Sequence, residues 1–160
     1  MTGITFTPIG TVHSPFRDPR DMPIQPVGAR DVRGTIELDP AYAAGLKDLT
    51  GFSRIIVLYH FHRSTGYALE VVPFLDTTPH GIFATRAPRR PNAIGLSILR
   101  LVAVDGATLT VEDVDILDGT PVIDIKPYVP AFDAYPDEQA GWLTTTSEDA
   151  RTRRSDGRFC

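Results

Sequence analysis

Nowhere in this chain do apolar residues recur at helical spacing for longer than about three turns. Fourteen prolines and 13 glycines, spread through 160 residues, break it into short segments. Helix is therefore scarce and a long amphipathic helix is not expected. What remains is a set of short apolar runs that read as strands. Residues 5–13, 31–38, 54–62, 94–104, 107–114 and 121–125 have this character. The 54–62 run carries Ile55-Ile56-Val57-Leu58-Tyr59, apolar on both faces, which predicts a central strand. Asp105-Gly106 between two such runs predicts a hairpin, and Leu109 and Val111 alternate with Thr108, Thr110 and Glu112 as a half-buried strand requires. The expected class is mainly β with one or two short helices. One helix starts at Pro40, capped by Asp39, and runs to Leu46; the other spans 136–143.

Two long loops, 14–27 and 63–80, stand out, since loops of this length in a small domain usually carry function. Residues 1–143 are expected to form one domain and 144–160 a polar, Arg-rich tail. The only cysteine, Cys160, forbids an intrachain disulfide and any Cys-based zinc site, which suits a cytoplasmic protein. The first residues show no secretory pattern, and no apolar run approaches membrane-span length. A net charge of −4 argues against broad electrostatic binding of nucleic acid, though not against a local basic patch.

Glycine spacing narrows the function. The closest pairs, Gly28 with Gly34 and Gly45 with Gly51, are too far apart for a dinucleotide fingerprint or a phosphate loop. A nucleotide-like ligand would need another geometry. Four segments carry chemistry. The densest is Gly81-Ile82-Phe83-Ala84-Thr85-Arg86-Ala87-Pro88-Arg89-Arg90-Pro91-Asn92-Ala93-Ile94-Gly95-Leu96-Ser97, in which a β run over 82–85 leads into a proline-stiffened loop bearing three arginines. Guanidinium groups on such a loop suit carboxylates or phosphates, and a plain solvated turn is equally compatible. The second, 114–128, holds the turn Asp118-Gly119-Thr120-Pro121 and then Asp124 between Ile123 and Ile125, where the carboxylate is either catalytic or paired with a neighbour such as Lys126. The third, Tyr59-His60-Phe61-His62-Arg63, places two histidines at period two, on one strand face; packing roles fit better than a metal site. The fourth is Ile9-Gly10-Thr11-Val12-His13-Ser14-Pro15-Phe16, which opens into the loop holding Pro23-Ile24-Gln25-Pro26.

Together and in this chain order, the four segments resemble the TsaA/TrmO family over residues 9–128. Ala-Thr-Arg followed by Arg-Pro-Asn, and Asp-Gly-Thr-Pro-Val-Ile-Asp-Ile-Lys-Pro-Tyr, are its most specific signatures. Departures are Ile24 in place of an arginine, Ala93 in place of a proline, and His60 in place of an aromatic or apolar residue. The resemblance implies a coiled, barrel-like antiparallel sheet. It implies a homodimer that binds S-adenosylmethionine near the subunit interface and methylates N6 of threonylcarbamoyladenosine beside the anticodon of tRNA. It also implies cofactor contacts at Pro23, Ile24, Gln25, His62, Arg63, Arg86 and Leu96, and along Asp118, Gly119, Thr120, Pro121 and Asp124. Fuller tRNA-methylating members continue with a further C-terminal domain.

By residue type, Arg86 suits the cofactor's carboxylate, Asp118 or backbone carbonyls of the Leu117–Thr120 turn suit its ammonium and sulfonium, and Asp124 or His62 would serve as a general base. Arg89, Arg90 and Lys126, with tail arginines Arg151, Arg153 and Arg154, would contact RNA. No metal is expected. Other readings stay open: a non-enzymatic S-adenosylmethionine-binding sensor, a methyltransferase on a different substrate, and, more weakly, a metal-dependent hydrolase using His60, His62 and nearby carboxylates.

Overall fold

A computed structural model describes residues 1–20, 22–144 and 154–156. Six strands close into an antiparallel barrel: β1 (Gly10–His13), β2 (Gly34–Leu38), β3 (Arg54–His60), β6 (Ile94–Asp105), β7 (Thr108–Glu112) and β8 (Pro121–Pro127), in the spatial order β1-β2-β7-β6-β3-β8. The two remaining strands, β4 (Glu70–Val71) and β5 (His80–Gly81), pair within the long 63–80 loop and escape detection in the sequence because each has only two residues. Closure satisfies every strand edge without a covering helix.

Alternation fixes what the barrel encloses. Val12, Ile36, Ile55, Val57, Leu99 and Leu109 point inward and are fully buried. β3 is central as expected, hydrogen-bonded to β6 on one side and β8 on the other. The Asp105-Gly106 hairpin forms, with Asp105 facing Thr108 across a two-residue loop. Of its two loop residues only Gly106 takes positive φ, at 59°, the pattern of a type II′ turn rather than the Asp-Gly type I′ turn. Two motif glycines are packing devices. A Cβ on Gly10 would lie 2.5 Å from the Glu37 carbonyl oxygen, and one on Gly95 would lie 2.3 Å from the Tyr59 ring.

The helix expected at Pro40 is present as a 3-10 helix, Pro40–Leu46, with the Asp39 carboxylate accepting from the Ala41 amide at 2.9 Å. Two expectations fail. Residues 136–143 do not form one helix: a single α turn lies earlier, at Pro130–Asp133, and a 3-10 turn later, at Gly141–Leu143. Gly141 adopts φ +58°, which breaks a continuous helix, and residues 136–141 are exposed, with no apolar face to hold one down. Residues 82–85 are not a strand either. Ile82–Ala84 is a 3-10 turn, closed because both the Thr85 amide and its Oγ1 donate to the Ile82 carbonyl. Most of the 144–160 tail, including Arg151 and Arg153, lies outside the described residues. No helix among the described residues is long and apolar enough to cross a membrane.

Candidate functional site

At one side of the barrel the long loops enclose an open cavity of about 680 Å³. It lies within the range of small-molecule sites. Segments distant in sequence meet there, among them residues from 22–27, 59–64, 85–96 and 115–120, joined by 73–75, 142–143 and 155–156. Four of them carry the motifs singled out above. From the fourth motif the cavity takes only the loop into which it opens.

The Arg86 loop is built from within. The Nη1 of Arg90 donates to the carbonyls of Thr85 at 2.9 Å and Ala87 at 3.1 Å, and more weakly to that of Ile82 at 3.4 Å. Those three oxygens bracket Arg86. Thr85, buried, accepts the Ala87 amide on Oγ1. The loop is therefore locked while the Arg86 side chain stands exposed over the cavity, its Nη1 donating to Gln25 Oε1 at 3.0 Å. Arg90 thus holds backbone through Nη1 while it also borders the cavity.

The Asp118-Gly119 turn is tied to the fourth motif. Thr120 N donates to the Leu117 carbonyl across Gly119, whose φ is +82°, as in a type II turn. Asp118 Oδ1 accepts the Ser14 amide at 3.1 Å, and Ser14 Oγ donates to the Ile116 carbonyl at 2.6 Å. Leu117 and Thr120 face the cavity, whereas Asp118, Gly119 and Pro121 do not line it. Asp124 is also elsewhere. It projects from β8 away from the cavity and pairs with Lys126 at 2.8 Å, both side chains about half exposed. The register is the reason: in β8, Val122 points into the core and the bulge opposite Leu58 and Tyr59 leaves Asp124 partly exposed.

Of the other candidates, Pro23, Ile24, Gln25, His62, Arg63, Arg86, Leu96 and Thr120 all line the cavity. Arg89 does not. Its buried Nε has no hydrogen-bond partner among the described residues and lies close to the 64–68 turn, whose Ala68 amide donates to the Arg89 carbonyl. His60 and His62 do not share a strand face, because β3 ends at His60 and the His62 amide folds back to the His60 carbonyl at 2.8 Å. His60 is exposed, while His62 faces the cavity with a pKa lowered by burial, then by the charges of Arg63 and His60. Among the described residues no group of three or more His, Cys, Asp or Glu could hold a metal ion.

Two functional features escape the sequence. Asp115 lines the cavity with its Oδ1 accepting from Ser97 Oγ at 2.6 Å, and Ser97 Oγ contacts the buried Tyr59 hydroxyl at 3.0 Å. Burial pushes the Asp115 pKa up to about 7, against the opposing effects of the Ser97 bond and of Arg86. A serine at an inward position of β6 was the available signal. The second is Trp142, the chain's single tryptophan, which lines the cavity, stacks on His80 at 4.6 Å and donates its Nε1 to the Ala84 carbonyl at 2.8 Å. His80 is in turn held by Asp76 at 2.6 Å.

A closed six-stranded barrel with a mainly apolar cavity bordered by its loops defines a class distinct from the doubly wound nucleotide-binding sheets. Residues 11–134 match the family described as the tRNA-methyltransferase O N-terminal domain. The chain belongs to that family. A probable S-adenosyl-L-methionine-binding protein of Pyrococcus abyssi is 51% identical over 156 residues, covering 98% of this chain and 85% of its own length. The Escherichia coli tRNA (adenine(37)-N6)-methyltransferase is 34% identical over 152 residues, covering 89% of this chain and 65% of its own. The crystal structure of TrmO from Pseudomonas aeruginosa superposes with a TM-score of 0.74 at 38% identity, over 88% of this chain and 63% of that one. The chain thus spans less than two thirds of the length of both the E. coli and the P. aeruginosa proteins.

Proposed function

We propose that this chain binds S-adenosylmethionine in the 680 Å³ cavity and transfers its methyl group to N6 of a modified adenosine in tRNA, threonylcarbamoyladenosine beside the anticodon. The observation that carries the reading is the convergence of the family's motif segments on one cavity. The donor set fits the cofactor. Arg86, exposed and locked at the base of its loop, suits the amino-acid carboxylate. Leu96, Ile116 and Leu117 offer apolar surface to the adenosine.

Methyl transfer is an in-line displacement, so holding donor and acceptor in line supplies much of the acceleration. When bound, the cofactor supplies an electrophilic methyl group. His62, kept neutral by burial, can take the proton that the acceptor nitrogen loses. It is preferred to Asp124, which is bound to Lys126 away from the cavity. Lys126 is committed likewise, and Arg90 holds backbone, so phosphate contacts fall to Arg89 and to Arg63, exposed at the cavity. A homodimer is part of the reading. β6 leaves Ile94, Leu96 and Val102 about 40% exposed on its outer face, and two of these also line the cavity, so a partner seated there would border the site.

The test is methyl transfer from labelled S-adenosylmethionine to tRNA containing threonylcarbamoyladenosine. Label in the tRNA, reduced by Arg86→Ala, is the expected result. Tight cofactor binding with no transfer would favour a binding module instead, in line with the P. abyssi relative, a probable S-adenosyl-L-methionine-binding protein. Light scattering that shows monomer alone would remove the dimer.

A further inference from the structure

The proposed mechanism leaves Asp115 unused. Its carboxyl sits on the cavity side of the barrel, with one oxygen held by Ser97 and Ser97 in contact with Tyr59. Arg86, of opposite charge, borders the same cavity and acts on Asp115 electrostatically. Among the described residues the two form no ion pair: the Arg86 guanidinium hydrogen-bonds Gln25, and the Asp115 carboxyl hydrogen-bonds a neutral hydroxyl. A carboxyl partly buried in a cavity wall without a cationic partner is costly to keep charged. A cavity with one cationic and one anionic side chain, held apart by different elements, matches a ligand that carries both charges on one small group.

We infer that Asp115 and Arg86 are the two poles of a clamp for a zwitterionic α-amino-acid group, Asp115 receiving the ammonium and Arg86 the carboxylate. This rests on the cofactor reading above and adds a residue to it. The hydrogen bond from Ser97 holds the carboxyl in the cavity wall before the ligand arrives. Ser97 is a positioning residue, and Tyr59 supports it from the core. In the free protein the carboxyl, with its pKa near 7, is about half protonated at neutral pH. A cation binding beside it favours the carboxylate and must expel that proton. The other titratable or charged groups that border the cavity are Tyr59, His62, Arg63, Arg86, Arg90 and Asp156. Of these only His62 ordinarily titrates near neutrality, and its pKa is lowered.

Calorimetry of the full chain in buffers of different ionisation enthalpy tests this with three ligands. S-adenosylmethionine has both an ammonium and a sulfonium, S-adenosylhomocysteine only the ammonium, and 5′-methylthioadenosine neither. The first two should each release roughly half a proton at pH 7 and close to a whole one at pH 6, where their own ammonium groups stay charged, and the third should release none. Asp115→Asn keeps a side chain that can bond Ser97 but loses the charge. It should abolish the release and weaken the first two ligands about 10- to 100-fold while leaving methylthioadenosine unchanged. Ser97→Ala should move the pH midpoint of release upward, because that bond lowers the Asp115 pKa. Release that persists in Asp115→Asn, equal affinity in that variant, or no upward shift in Ser97→Ala overturns the assignment. Release with S-adenosylmethionine alone places the carboxyl at the sulfonium and overturns the clamp while leaving the cofactor reading intact. Failure of the wild type to bind either sulfur compound removes both.

Discussion

The barrel and the loop layer beside it are held together by different means. Inside the barrel the buried cluster is hydrocarbon and one tyrosine, drawn from all six strands. The loop layer has a second cluster of only three buried residues, Val71, Ile82 and Ala87. There, order comes from polar side chains that hold backbone: Arg90 on Thr85 and Ala87, Thr85 on Ile82, Trp142 on Ala84, and, between side chains, Asp76 on His80. Apolar burial is non-directional and tolerates exchange of one hydrocarbon for another. Hydrogen bonds to specific carbonyls are directional and set a side chain's position, which is what Arg86 requires. Stability therefore resides mainly in the first region and positioning in the second.

Substitutions in the two regions should separate these roles. The largest effect is expected from Ile55→Ala, which empties a fully buried barrel site and should cost about 2–5 kcal/mol in urea unfolding. Ligand affinity per folded molecule should hardly change; a large change would mean the regions are coupled. Asp115→Asn should act in the opposite sense. The folded-state pKa of Asp115 is raised above its unfolded value, so the charged form disfavours folding. Stability should fall as pH rises from about 4 to about 7 and then level off, and the variant should flatten that decline. At pH 8 it should be more stable than wild type by roughly 1–4 kcal/mol while binding ligand less well. A variant less stable at pH 8 would contradict the burial of that charge.

Arg90→Ala should leave global stability within about 1 kcal/mol yet speed amide exchange at Ala87 and weaken S-adenosylmethionine roughly tenfold, because only the local loop loses its anchor. Loss of global stability comparable to Ile55→Ala would erase the distinction between the regions. The smallest effect is expected for Lys126→Ala, which removes an exposed ion pair with Asp124 and should change stability by about 0.5 kcal/mol or less, with cofactor affinity unaltered. A marked loss of affinity there would return Asp124 and Lys126 to the site.

Much of this protein is legible in its sequence. Strand period, the Asp105-Gly106 turn and the absence of a long apolar helix face follow from side-chain alternation and local backbone preference, which act within a few residues. All six barrel strands fall within the expected runs to within a few residues at their ends. The motif strings locate the cavity's segments for the same reason: they are continuous in sequence. What the sequence could not decide was direction and partnership across the fold. Nothing local distinguishes Asp124, turned away from the cavity and paired with Lys126, from Asp115, turned into it and held by Ser97 eighteen residues away. Nothing local shows that Arg90 binds its own loop while Arg86 reaches over the cavity to Gln25. Strand register, the bulge opposite Leu58 and Tyr59, and barrel closure settle those choices, because they fix which side of each strand meets the cavity and which groups share its low-dielectric wall.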